Sequence, residues 1–247
     1  MSYIFNIFVI IIILSVFLLS KHFKLFLDNK IDKHKKFVGK KKSYFIGGLI
    51  IFIFLFYDSI QKNDFFLFFL YFCFFTIGFL SDLKILNSPN KRLLIQFIAL
   101  LAFVVFLDIK ILETRLVPFD ELLNINSFNY LFVVFCILVL INGSNFIDGI
   151  NALLICYVIV IFLMIIINLN DFIYDVNTLK NFTYILFILL LFNLFGIIIL
   201  GDSGSYLLSL YLGIYLIELS NSEVLISPYF VVLLLWYPCF ELLFSII

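Results

Sequence analysis

The stretch Asn142-Gly143-Ser144-Asn145-Phe146-Ile147-Asp148-Gly149-Ile150-Asn151-Ala152-Leu153 interrupts a sequence that is otherwise almost pure hydrocarbon. It sets Asn142, Asn145, Asp148 and Asn151 at three-residue intervals. On a helix such steps drift by about 60°, so Asn142, Asn145 and Asp148 share a face about 120° wide. Unpaired carboxamides and carboxylates are costly in a bilayer, so these groups sit at its edge or are in use. A helix cap needs one such residue, whereas four in register read as a binding wall. Gly143 and Gly149 let backbone or ligand approach closely.

The surrounding composition makes the membrane reading firm. Hydrophobic residues are 65% of the chain, aromatics 20% and charged residues only 13%. Soluble domains run at about half apolar and about a quarter charged. No soluble core hides this much Phe, Ile and Leu. The formal net charge of zero identifies no partner, and nothing suggests nucleic acid. Cys73, Cys136, Cys156 and Cys239 lie singly in apolar runs, without metal or disulfide spacing, and read as small core residues. The first apolar run lacks a basic start and a small-residue cleavage site, so it reads as a retained span.

Spanning takes about 20 apolar residues per helix, fewer inside a bundle. About nine candidate spans follow, near 3–20, 44–57, 65–80, 93–107, 129–141, 150–168, 182–200, 206–218 and 229–245. The expected fold is all-α, a polytopic membrane helix bundle forming one domain over 1–247. With the amino terminus outside, nine of the 16 Lys and Arg fall in the inner segment 21–42 and three in 81–92. Only Lys62, Lys110, Arg115 and Lys180 then lie outside. This bias fits the positive-inside rule and puts the carboxyl terminus in the cytoplasm.

Every polar cluster then reaches the cytoplasmic face. Gly78 to Gln96 carries Asp82, Lys84, Lys91 and Arg92. It reads either as a solvated positive-inside loop, or as a carboxylate metal ligand beside cations that meet phosphate oxygens. Gly201-Asp202-Ser203-Gly204-Ser205 reads either as an ordinary helix start, or as a pyrophosphate–Mg²⁺ site where small residues let backbone N–H groups approach. His34 lies in a lysine run, Lys33-His34-Lys35-Lys36, that also suits contact with anionic lipid. Gly47-Gly48 reads first as a close helix contact.

Together, in order, these clusters resemble the motifs of the polyprenyl-phosphate N-acetylhexosamine-1-phosphate transferases, glycosyltransferase family 4. Lys33-His34-Lys35 with Gly47-Gly48 is similar to the family's basic-His segment and glycine pair. Gly78 to Gln96 is similar to its G-x-x-D-D segment, including Ser88-Pro89 and the distal Gln96. Asn142 to Leu153 resembles N-x-x-N-x-x-D-G-x-x-G-L, and Gly201 to Ser205 resembles G-D-x-G-S. The resemblance implies a multi-pass plasma (inner) membrane enzyme with its site facing the cytoplasm. It would move a sugar 1-phosphate from a UDP-linked amino sugar, such as UDP-N-acetylglucosamine, to undecaprenyl phosphate. UMP would leave, with Mg²⁺ (Mn²⁺ as an alternative) as cofactor. The wording Asn145-Phe146-Ile147-Asp148-Gly149 is closer to the O-antigen, lipopolysaccharide and wall-polymer members. The bilayer and a second copy of the chain are implied partners.

By position, the resemblance makes Asp202 the Mg²⁺ ligand and Asp82 and Asp148 the catalytic acids. Asn142, Asn145, Asn151, Lys84, Lys91, Arg92, His34, Gly204 and Ser205 become substrate-binding residues. The sequence departs from the pattern in three places: Ser81 for the first acid of the pair, Asn151 for another acid, and Ala152 for the last glycine. Family members continue into a further His-rich cytoplasmic segment, whereas His22 and His34 are the only histidines here. Two other readings remain open: an inactive homologue serving as a membrane binding or assembly protein, and a transporter. Transporters also place acids in broken helices, but no inverted repeat is visible.

Overall fold

The computed structural model describes residues 3–23, 43–169, 176–221 and 226–246. Ten helices and one minimal strand pair make up these residues. In order they are α1 (Tyr3–Phe23), β1 (Tyr44–Phe45), α2 (Gly47–Gln61), α3 (Phe65–Asp82), α4 (Pro89–Phe106), α5 (Val117–Leu123), α6 (Asn126–Ile147), α7 (Leu153–Leu169), α8 (Val176–Leu194), β2 (Ile198–Ile199), α9 (Gly201–Asn221) and α10 (Pro228–Ile246). Each expected apolar segment contains a helix.

The boundaries differ where polar or strand chemistry intervenes. The 44–57 segment opens with a strand, and its helix starts only at Gly47. The 182–200 segment is split, because α8 ends at Leu194 and Ile198–Ile199 pair in parallel with Tyr44–Phe45. The 129–141 helix runs on to Ile147 and takes Asn142 and Asn145 with it. The 206–218 helix begins earlier, so Gly201 to Ser205 is its first turn and no loop. The 108–127 connection holds the short α5.

Among the described residues five helices, α3, α4, α6, α8 and α10, are long and apolar enough to cross a membrane. Three shorter apolar segments lie in α1, α2 and α7. The helix α9 is different. It is buried along nearly its whole length and packs on α2, α3 and α6. Protein surrounds it, so it carries Ser203, Ser205 and Ser209 where a lipid-facing helix would carry Leu. Ser209 Oγ donates back to the Ser205 carbonyl at 2.6 Å, which removes the cost of burying the hydroxyl.

At the end of the bundle away from the glycine-rich segments, two amides fasten the α4–α6 connection. Buried Asn129 Oδ1 accepts from Ile111 N–H, and its Nδ2 donates to the carbonyls of Ile111 and Leu123. Asn221, the last residue of α9, does the same for Lys110 and Leu112. These contacts hold α4, α6 and α9 in register, and that register positions the site at the opposite end.

Candidate active site

The strand pair sets α2 and α9 side by side. Gly48 N–H donates to the Leu200 carbonyl at 3.1 Å. A Cβ on Gly48 would lie 2.6 Å from Gly204 N and one on Gly204 3.1 Å from Gly48 Cα, so the two helix starts touch backbone to backbone. The glycine pair is therefore a close helix contact, and Gly204 faces that contact. On the other flank α3 crosses the first turn of α9 at Gly78, where a Cβ would stand 2.4 Å from Ser203 Cα. One turn beyond Gly78 on the same face comes Asp82.

Asp82 ends α3 and caps α9. Its Oδ1 accepts from Asp202 N–H at 2.8 Å. Its Oδ2 accepts from Ser203 N–H at 3.1 Å and Ser203 Oγ–H at 2.7 Å. A carboxylate at a helix amino end satisfies orphan donors and meets the positive end of the dipole. Gly201 has φ +75°, and a Cβ there would lie 2.8 Å from Asp82 Oδ2, so only glycine suits this turn. Asp148, the residue after α6, lies close enough to the Gly201 backbone N–H to feel its pull. The Asp82 carboxylate grips the start of α9, and Asp148 stands beside it.

Asp202 projects from that first turn into a ring of donors. Ser81 Oγ–H donates to its Oδ2 at 2.5 Å and Arg92 Nη1 to the same oxygen at 2.7 Å. Asn145 Nδ2 donates to its Oδ1 at 3.0 Å and lies 3.2 Å from Ser205 Oγ. Arg92 Nη1 also donates to Ser81 Oγ at 2.7 Å. Ser81 is therefore a direct partner of Asp202. Asn142 sits one turn back on α6, donating to the Leu138 carbonyl at 2.8 Å and to Gln96 Oε1 at 3.4 Å.

The structure thus gathers Asp82, Asp148, Asp202, Asn142, Asn145, Arg92 and Ser205. Lys84 and Lys91 are exposed on the α3–α4 connection and the first turn of α4, with Lys84 at φ +60°. Asn151 is exposed and lies beside Gly196 at the α8–β2 turn, apart from the hydrogen bonds around Asp202. His34 lies outside the described residues. Sequence reasoning missed Tyr206, whose hydroxyl lies 3.5 Å from Arg92 Nη1, and the part played by Ser81. The spacing of Gly201-Asp202 to Tyr206, one helical turn, was the available signal.

Three carboxylates here face one guanidinium. Burial, then the charges of Asp202 and Asp82, push the Asp148 carboxyl well above the ordinary carboxylate range, against the pull of the Gly201 N–H. Among the described residues no three His, Cys, Asp or Glu side chains close on one point as a complete metal cage. The donor set still fits Mg²⁺, which uses one or two carboxylates and takes its other ligands from phosphate and water. The excess negative charge pressing on Asp148 is what a cation would relieve.

These features define a class: a polytopic membrane protein that assembles acids, amides and a guanidinium where its central helix begins. Residues 65–220, more than half of the chain, match the model of glycosyl transferase family 4, and the chain belongs to that family. The match runs from α3 into α9 and contains the whole acid cluster. Membership implies transfer of a sugar 1-phosphate to a polyprenyl phosphate. No curated protein matches the chain at a significant level.

Proposed function

We propose that this chain transfers an N-acetylhexosamine 1-phosphate from a UDP-sugar to undecaprenyl phosphate. This would start a cell-envelope polysaccharide such as an O-antigen or wall polymer, on the cytoplasmic side of the membrane. The observation that carries the reading is the convergence of Asp82, Asp148, Asp202, Asn145 and Arg92 on the first turn of α9.

In the reaction an oxygen of the lipid phosphate attacks the sugar-linked phosphorus. The bond from that phosphorus to the bridging oxygen breaks, and UMP leaves with the bridging oxygen. A phosphate monoester, with its second pKa about 6, is already ionised near neutral pH and needs no strong base. The protein's tasks are to bring two anions together and to stabilise charge on the leaving phosphate. Arg92, Lys84 and Lys91 supply positive charge, and Asn142 and Asn145 would reach sugar-phosphate or nucleotide oxygens by turning amide N–H groups away from their present partners. Mg²⁺, held by Asp202 with Asp148, would supply neutralisation of the pyrophosphate. Asp82 has both oxygens committed to α9, so in this reading it acts by fixing the direction of Asp202.

The test is transfer of label from UDP-N-acetylglucosamine and related UDP-sugars to undecaprenyl phosphate by the purified chain with Mg²⁺. Lipid-linked sugar phosphate that disappears in Asp148→Ala and Asp202→Ala supports the proposal. A folded chain that makes no product from any donor and binds no UMP by calorimetry refutes it and leaves the non-catalytic homologue.

A further inference from the structure

The connection between α4 and α6 lies at the end of the bundle away from the acid cluster, and its surface is unlike that of a loop in water. Leu112, Leu116, Val117, Leu122 and Ile125 are all exposed, Val117 to 72%. Single exposed apolar residues are ordinary on any surface, but five in so short a stretch form a patch that marks an interaction.

The backbone points the same way. A turn facing water leaves its N–H groups to water, whereas here the protein supplies acceptors. Ile109 N–H donates to the Val104 carbonyl, Ile111 N–H to Asn129 Oδ1, Leu112 N–H to Asn221 Oδ1 and Thr114 N–H to Asp120 Oδ1. The N–H groups of Phe119 and Asp120 both return to the Leu116 carbonyl. The Thr114 hydroxyl also ends on Asp120 Oδ1, at 2.7 Å. Such internal satisfaction is what backbone at the edge of hydrocarbon requires.

The neighbours of the patch identify what covers it. Phe119 of α5 stands edge-on to Phe128 and Phe132 of α6, with ring centroids 5.6 and 4.9 Å away, so α5 lies along that helix. Exposed Leu131 and Phe135 of α6 and exposed Val105 and Phe106 of α4 continue the apolar surface down two helices long and apolar enough to cross a membrane. Length agrees. Asn221 closes α9 and bonds Leu112 N–H and the Lys110 carbonyl, while Asp202 lies in the first turn of the same helix. Its 21 residues span about 30 Å, close to the thickness of a bilayer's hydrocarbon core. With the acid cluster at one polar boundary, this segment stands at the other. Charge narrows the partner further. Residues 110–125 set Lys110 and Arg115 against Glu113, Asp120 and Glu121, so apolar burial and not attraction to anionic headgroups is the driving force.

We infer that residues 110–125 lie in the lipid headgroup layer on the membrane face opposite the acid cluster, with Leu116, Val117 and Leu122 reaching the first acyl carbons. Through Asn129 and Asn221 this anchor fixes α6 and α9 along the membrane normal, and with α9 the depth of Asp202. The inference is independent of the sugar-phosphate reaction.

The experiment is depth-dependent fluorescence quenching of the full chain in phosphatidylcholine bilayers. Trp236 is the one tryptophan, so Trp236→Phe gives a dark background. Val117→Trp and Leu122→Trp, each added singly to it, place a probe at positions where exposure leaves room for the larger ring. Both probes are expected to emit at short wavelength and to resist aqueous iodide. They should lose more fluorescence to lipid brominated near the headgroup end of the acyl chain than to lipid brominated near its methyl end. Emission at long wavelength with full iodide quenching and no bromolipid quenching overturns the inference and returns the segment to water. Protection from iodide and from both bromolipids overturns it in favour of a second copy of the chain or another protein on this patch.

Discussion

Tyr157 on α7 donates its hydroxyl hydrogen to the carbonyl of Leu234 on α10. Leu234 lies four residues before Pro238, the proline inside that helix. Proline has no N–H, so the Leu234 carbonyl loses its normal helical donor and a side chain from a neighbouring helix replaces it. Gly143 of α6 packs on Pro238 itself, so closely that a Cβ would meet the Pro238 carbonyl. Tyr157→Phe should therefore lower stability by about 1–3 kcal/mol. Adding Pro238→Ala should return much of that loss, because the carbonyl regains a backbone partner. Thermal unfolding of the two single variants and the double variant in detergent checks the coupling.

Gly78 tolerates no side chain. Its neighbours within 3 Å are backbone atoms of Asp202 and Ser203, which cannot rotate aside. Gly78→Ala should force α3 from α9, detach Asp82 from the α9 amino end and abolish transfer. At Gly213 the nearest atom is the Leu140 Cδ2 methyl at 3.2 Å, and side chains there can adjust. Gly213→Ala should keep most of the activity. Paired transfer assays and melting curves distinguish the two.

Ala152 stands at φ +68° in the turn between α6 and α7, held by a hydrogen bond from its N–H to Asn193 Oδ1 at 2.5 Å. A residue with a Cβ pays roughly 1–2 kcal/mol for this left-handed conformation. Ala152→Gly should raise the stability of the chain by up to about 1 kcal/mol with the site unchanged. An increase in melting temperature at equal activity is the expected result.

Asp148 gives a pH test. Its carboxyl is raised in the folded protein, so ionising it opposes folding. The penalty is absent below the ordinary carboxylate pKa of about 3.9, where the group is protonated in both states. It grows as pH rises through the raised value and is then complete. Asp148→Asn should thus stabilise the metal-free chain, and the gain should be larger at higher pH. Melting temperatures of both forms across the acid-to-neutral range in the presence of a chelator provide the check.

Ser81→Asp would set a carboxylate beside Asp202 Oδ2, which Ser81 Oγ now approaches to 2.5 Å. Like charges at such range destabilise one another unless a cation intervenes. Without divalent ions the variant should melt earlier than the parent chain. Millimolar Mg²⁺ should raise its melting temperature more than the parent's.

Much of this arrangement was legible in the sequence because lipid imposes a simple rule: polar groups in apolar runs are rare. Asn142, Asn145 and Asp148 stand out in such a run, and α6 does present them toward α9 and α4. What stayed hidden depends on contacts between distant segments. Tyr44–Phe45 and Ile198–Ile199 form strands of two residues each, too short to alter an apolar pattern. That Gly201 to Ser205 opens a helix was legible, but not what holds it helical: glycine and serine are poor helix formers, and burial against Gly48 and Gly78 overrides that propensity. Ser81 looked like a lost acid, and its bond to Asp202 comes from a crossing of α3 and α9 that spacing alone does not reveal. Asn151 shares the three-residue spacing of its neighbours, but α6 ends at Ile147 and the turn carries Asn151 elsewhere.

The grip of Asp82 on α9 joins residues 120 positions apart. At a synthesis rate of about 5–20 residues per second, α3 leaves the ribosome roughly 6–24 s before its partner is made. Through that interval the acid at the end of α3 has no α9 amino end to cap. Carboxylate, glycine groove and hydroxyl meet only once the ninth helix has been made. The acid cluster is then completed late and all at once, so half-made chains in the membrane carry it unassembled.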